Sequence, residues 1–302
     1  MHTYTGTLPA CPPFNFAKTL RFIGRFSPAA GEQRATGASL TKAVARHGRA
    51  VAFTVTSAGE GGADRPAVAY TLHAAEPLTP ADRAALEDRI AFYLSLDDDL
   101  RPFYAIARDD PPFAPVVERL HGLHQVKFMT PFELACWAVL TQRTPMPIAR
   151  RAKDALVARY GCSISLEGAR YDAFPGSARL AAVSPAELGE LVRNERKVEY
   201  LAAVIRFFNE VDERWLRTAP YDEVAARLRA IRGIGEWSAN FILIRGLGRV
   251  EPVPAVEGEL AAAAARVYNG GAPLSGADLQ RLTERYAPYA GYWAYYLRNA
   301  DL

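Results

Sequence analysis

The stretch LRAIRGIGEWSANFILIRGLGRVEPVPAVEGEL, residues 228–260, governs how the rest of the chain is read. YDEVAARLRAI, which runs into it, sets Val224, Leu228 and Ile231 on one helical stripe, and EWSANFILIRGLG does the same with Trp237, Phe241 and Ile244. Only the RGIG segment lies between the two helices, too short for anything but a tight reversal. Gly233 and Gly235 there supply backbone angles that other residues resist. Such a hairpin can turn the N–H groups at the start of its second helix toward a phosphate, a contact that positions DNA without reading it. It is equally the composition of an ordinary helix–helix turn. Beyond a proline-studded loop the stretch reaches a carboxylate, Glu257, the first residue of EGELAAAAARVY, where helical spacing resumes.

Outward from the hairpin, the chain divides by its periodicities. AVAFTVTS (50–57) and PAVAYTLHA (66–74) alternate apolar and polar residues, the period of strands buried on one face, and the turn-rich SAGEGGADR between them predicts a hairpin with a long loop. SLTKAVARHG (39–48) is read as a helix with Ser39 as its N-cap and Gly48 as its stop. TPADRAALEDRIAFYLSL (79–96) is read as another, opening on Thr-Pro. From about residue 113 the strand signals stop and segments with three- and four-residue apolar steps follow one another, several starting on Ser-Pro or Thr-Pro. DDDLRPFYAIARDDPP (97–112) is the natural joint. The expected fold class is α+β: a small N-terminal α+β domain, 1–112, followed by an all-helical domain, 113–302.

The bulk numbers bound the function without naming it. The 302 residues are 50% hydrophobic and 23% charged with a net charge of +3, an ordinary globular balance that permits a nucleic-acid partner but does not argue for one. No apolar run is long enough to span a bilayer, and MHTYTGTLPACPPFNF lacks the basic start and apolar core of a secretion signal. Cys11, Cys136 and Cys162 are odd in number and far apart, which suits a reducing compartment and gives no zinc pattern. The expectation is a cytoplasmic protein, nucleoid-associated if it binds DNA, with no membrane partner and no metal.

Taken whole, LRAIRGIGEWSANFILIRGLGR, then Pro254, then Glu257, resembles the helix–hairpin–helix DNA glycosylase superfamily, most closely its 3-methyladenine DNA glycosylase II (AlkA-type) branch. PPFNFAKTLRF, TPFELACWAVLTQRTPMPIARR, LVRNERKVEYL and YAPYAGYWAYYL resemble further segments of that family, so the likeness covers most of the chain. The last of these has Ala290 where the family carries an arginine after the aromatic. The resemblance implies a TBP-like N-terminal domain ahead of the helical glycosylase domain. It also implies a base-excision enzyme that flips a base into an aromatic pocket. Trp237, Phe241, Tyr289 and Phe22 fall at its pocket positions, though aromatics at helical spacing also build ordinary cores. An electron-rich pocket favours a cationic, N-alkylated base by about 0.5–2 kcal/mol per contact. Trp237 stands where the strand-cleaving relatives have a Schiff-base lysine, which implies base removal alone. Three cysteines cannot supply the four-cysteine iron–sulfur cluster of other superfamily members.

The same resemblance puts Gly233 and Gly235 on a DNA phosphate. It puts Gln142 and Arg143 at the wedge that fills the gap left by the flipped base. The family wedge is usually apolar, so Arg143 either fills that gap or contacts phosphate. No cofactor is expected, a monovalent cation at the hairpin being left open. Glu257 occupies the place of the family's catalytic aspartate, where a carboxylate stabilises positive charge on the sugar and activates water. Its extra methylene adds roughly 1.5 Å of reach. Glu257 and its neighbour Glu259 would also suit the start of a helix for its dipole alone. Two functions follow: a monofunctional glycosylase acting on alkylated bases in double-stranded DNA, expected as a monomer, or a non-catalytic protein that recognises damaged DNA on the same fold.

Overall fold

The computed structural model describes residues 1–26, 32–58, 65–251 and 258–302. Its first part is β1 (His2–Pro9), α1 (Phe16–Arg25), β2 (Gln33–Ala35), β3 (Ser39–Arg46), β4 (Arg49–Ser57) and β5 (Ala67–Ala74), followed by α2 (Pro80–Leu94), α3 (Arg101–Arg108) and α4 (Ala114–Leu120). The strands form one antiparallel sheet in the order β1-β5-β4-β3-β2. The expected pair 50–57 and 66–74 is present as β4 and β5, with Val55 opposite Tyr70 and Phe53 opposite Leu72. α2 begins where Thr-Pro placed it: Thr79 and Asp82 cap each other's backbone N–H groups.

The predicted helix at 39–48 is instead a strand, β3. Leu40 pairs with Val55 and Val44 with Val51, and the chain reverses through His47 and Gly48, both at positive φ. β3 is buried on both faces, so the alternation that marks a one-faced strand is missing. Its outer face is covered by a second departure from expectation, a two-stranded sheet of β6 (Cys162–Leu166) and β7 (Ala169–Ala173) inside the region read as helical. Ile164, Tyr171 and Ala173 bury against Ala43, Ala50 and Ala52 of β3 and β4.

The helices of this region are α5 (Pro131–Thr141), α6 (Met146–Tyr160), α7 (Ser177–Ala181), α8 (Pro185–Val192), α9 (Glu195–Glu210), α10 (Glu213–Thr218), α11 (Tyr221–Arg229) and α12 (Glu236–Phe241). α12 runs on into one π-helical turn, Ile242–Gly246. The chain ends in α13 (Gly258–Tyr268), α14 (Gly276–Arg285) and α15 (Ala290–Arg298). Two large cores result. One unites α5–α12 around Trp137, Leu201, Leu228 and Leu243. The other joins the N-terminal sheet and α2–α4 to α13–α15, with Phe53, Phe103, Tyr286, Trp293 and Tyr296 among its largest members. A small α+β unit followed by helices is thus the observed architecture. Among the described residues no helix is long and apolar enough to cross a membrane.

Candidate active site and nucleic-acid interface

The α11–α12 hairpin is built as its glycines require. Gly233 has φ +92°, and a Cβ added to it would lie 2.2 Å from Cγ of Tyr200 on α9, so the turn packs flat on that ring. Gly235 is the N-cap of α12, with open space where a Cβ would be. Val224, Leu228 and Ile231 are buried as the stripe predicted. The stripe of the second helix behaves differently. Its buried face is Ser238, Ala239, Asn240, Ile242 and Leu243, while Trp237 is 52% exposed and Phe241 and Ile244 are half-buried. An open tryptophan next to a glycine N-cap is not core packing.

The α5–α6 turn is clamped to this hairpin. Gln142 Nε2 donates to the Gly233 carbonyl at 2.7 Å, so its amide braces the hairpin from behind. Lys197 donates to the Leu140 carbonyl at 2.5 Å and to the Thr144 hydroxyl, holding the end of α5; burial pushes its ammonium below the ordinary value. Arg143, at the tip, takes φ +47° and is exposed. Turn and hairpin together wall a groove of about 810 Å³. Its lining includes Arg143, Arg196, Lys197, Arg229, Arg232 and the backbone from Gly233 to Gly235, with no acidic residue among the lining. Arg232 is paired with Glu199 at 2.7 Å and Lys197 is engaged at the end of α5, so the groove draws its positive charge mainly from Arg143, Arg196 and Arg229. Arg196, Arg229 and Arg232 were not singled out by sequence, because arginine on a helix face is usually solvated.

Inward from Trp237 the rings form a run. Its centroid is 5.2 Å from Phe241, which meets Phe128 edge-on at 6.0 Å; Phe128 meets Phe26 at 5.3 Å, Phe26 stacks on Phe22 at 5.5 Å, and Phe22 meets Tyr295 at 5.2 Å. The structure therefore joins three of the four expected pocket aromatics through Phe26 and Phe128, which sequence reading missed. Tyr289 stands outside that run among the described residues: it caps α15 and faces Phe103 at 6.5 Å. Pro254 and Glu257 lie outside the described residues. Their flanks are held. Val250 accepts a hydrogen bond from Gly291 N at 3.1 Å, and a Cβ on Gly291 would come within 2.9 Å of Val250 Cα. On the far side α13 opens at Gly258, with Glu259 exposed in its first turn and Leu260 fully buried.

No protein-family model matches the chain. A DNA-3-methyladenine glycosylase of Bacillus subtilis is 31% identical over 178 residues, 58% of this chain and 59% of that protein. A Mycobacterium tuberculosis protein named "Probable bifunctional transcriptional activator/DNA repair enzyme AlkA" is 29% identical over 202 residues, 66% of this chain and 39% of its own length. The chain therefore spans well under two thirds of either relative. Among solved structures, the 3-methyladenine DNA glycosylase of Archaeoglobus fulgidus superposes with a TM-score of 0.75 over 98% of both chains at 20% identity, which establishes the fold. The chain thus shares the fold of that glycosylase from end to end, and over part of its length it is similar in sequence to a DNA-3-methyladenine glycosylase and to a protein named for AlkA.

Proposed function

We propose that this chain is a monofunctional DNA glycosylase that hydrolyses the N-glycosidic bond of alkylated bases, of the 3-methyladenine and 7-methylguanine type, in duplex DNA. The observation that carries the reading is Trp237: a half-exposed tryptophan at the mouth of a continuous aromatic run, beside a basic groove. Tryptophan has no amine to form a Schiff base, so the chemistry stops at base removal. The groove, with the Gly233–Gly235 backbone at its wall, holds the DNA phosphates, and Arg143 meets the strand at the flipped-out site.

In this reading Glu257 is the working carboxylate. The bond from C1′ to the base nitrogen breaks with its electron pair leaving on the base, which already carries positive charge and needs little acid assistance. A water oxygen adds to C1′ and gives its proton to the Glu257 carboxylate, whose charge stabilises the developing sugar cation. Tyr289 is a further pocket wall on this reading, and the enzyme works as a monomer in the cytoplasm, on the nucleoid. The test is base release from methylated duplex DNA by wild type and Glu257→Gln, with DNA binding measured alongside. Release that falls at least a hundredfold in the variant while binding survives is the expected result. Equal release by both would move the chemistry off Glu257. Lesion binding without release by either would make the protein a damage-recognition module.

A further inference from the structure

Arg143 holds φ +47° at an exposed tip, a left-handed backbone that a bulky residue adopts only where its surroundings enforce it. Both its neighbours are tied down. Gln142 donates its side-chain amide to the Gly233 carbonyl at 2.7 Å, and its own carbonyl accepts from the Thr144 hydroxyl at 3.0 Å. The same hydroxyl oxygen accepts from the Lys197 ammonium, which also donates to the Leu140 carbonyl at 2.5 Å. A relay therefore runs from Lys197 through Thr144 to the backbone on the other side of Arg143. Lys197 is itself seated by the N-cap of α9, where Asn194 Oδ1 accepts from its backbone N at 3.0 Å. Three residues on, Tyr200 lies against Gly233 and leaves no room for a Cβ there. One face of α9 thus seats both the Arg143 turn and the glycine hairpin, and Arg143, Thr144, Lys197, Tyr200 and Gly233 all line the groove.

The geometry points to Lys197 as the positioning residue that fixes the reach from the glycine hairpin to Arg143, an inference that rests on the glycosylase reading above. On that reading one DNA strand is held at two places at once, by a phosphate at Gly233–Gly235 and by Arg143 where the base has left the stack. The second contact works only while the base is out, so its geometry has to be set in advance. An arginine on a turn free to leave the left-handed region would lose part of its binding energy to ordering itself. The buried Lys197 ammonium prevents this with two charge-assisted hydrogen bonds, one to each side of the turn. Loss of the relay therefore weakens base flipping rather than the general hold on DNA, and it does so only while Arg143 is there to be positioned.

The probe is a duplex carrying 2-aminopurine beside a single 7-methylguanine. Its fluorescence rises as the neighbouring base leaves the stack, and single-turnover release of that base is followed on the same duplex. Thr144→Val removes the hydroxyl of the relay without changing charge, and Thr144→Ser keeps it. Thr144→Val is expected to slow flipping and release about tenfold, and Thr144→Ser to stay within about twofold of wild type, with affinity for undamaged duplex unchanged in both. In an Arg143→Ala background, itself slow, Thr144→Val is expected to cost nothing further, which is the mark of coupling through that one residue. Lys197→Met should repeat the pattern; if it fails to fold, the Thr144 series decides alone. The positioning role is overturned by equal loss in both backgrounds, by a Thr144→Val variant as fast as wild type, or by a loss of undamaged-DNA affinity that matches the loss of flipping. Each of these leaves the glycosylase reading standing. A wild type that binds the duplex but neither flips nor releases the base overturns that reading and the role of Lys197 with it.

Discussion

Trp237 shows what a single residue can and cannot disclose. Its place four before Phe241 and two after Gly235 is legible in the sequence, but whether its ring faces core or solvent is not, since the spacing is the same for both. The 52% exposure decides it, and it also makes the residue separable from the fold. Trp237→Ala should cost about 0.5–1.5 kcal/mol of unfolding free energy, the worth of its ring contact with Phe241, and leave the fold intact. On the proposed reading, in which Trp237 is a pocket wall, it should cut base release at least tenfold. Denaturant titration and release from methylated DNA, run on one preparation, check both halves; a variant with lost stability and unchanged release per folded molecule would mean the ring is structural. Lys197 is the opposite case. A lysine in the first turn of a helix gives no local signal, because what distinguishes it are acceptors at Leu140 and Thr144, 57 and 53 residues back along the chain.

Among elements, the helices with Thr-Pro and Ser-Pro starts were readable because capping is local: Thr79, Thr130 and Ser184 each accept from the backbone N–H three residues on. The two misread segments share one overlooked signal. β3–β4 and β6–β7 both reverse through a two-residue turn, His47-Gly48 and Glu167-Gly168, with all four residues at positive φ. That is the hairpin signature of a residue followed by glycine. Gly48 also suits the stop of a helix, so composition alone does not separate the two readings there. The hairpin glycines at 233 and 235 were legible, yet they do different jobs. Gly233→Ala drives a Cβ into Tyr200 at a left-handed φ and should destabilise the protein by about 1–3 kcal/mol. Gly235→Ala meets nothing within 4 Å and should fold nearly as well as wild type, while placing a methyl at the proposed phosphate contact. Its DNA affinity should fall several-fold across sequences alike. Binding measured over a salt series, beside thermal unfolding of both variants, separates the two; equal stability loss in both would refute the distinction.

The whole molecule is tied together by charges no periodicity reveals. Glu32 and Lys42, from the N-terminal sheet region, meet Glu133 of α5 and Lys153 of α6. Lys153 Nζ lies 2.5 Å from Glu32 and 2.8 Å from Glu133, and Lys42 lies 3.4 Å from Glu32. Partners 121 residues apart, as Glu32 and Lys153 are (153 − 32), cannot be paired by reading along a chain. Burial alone would raise Glu32, but Lys42 and Lys153 outweigh it and hold the carboxyl below its ordinary 4.5. Burial would lower Lys153, and Glu133 with Glu32 keep it above 10.5 instead. A depressed carboxyl contributes stability that is fully present above its unfolded value of 4.5 and is lost as pH falls through the lower folded value. A raised ammonium contributes stability present below 10.5 and lost only above its folded value. Stability should therefore hold from pH 5 to about 10 as far as this cluster is concerned and decline on the acid side. Lys153→Met leaves two buried carboxylates short of a cation and should cost about 3–5 kcal/mol at pH 7. Because Glu32 then loses one of the two ammonium groups that hold its carboxyl low, the deficit should shrink as pH drops toward 4.5. Urea unfolding of both proteins between pH 4 and 8 measures it, and a deficit that stays constant across that range would show that the network does not weld the sheet to the helices through its charge.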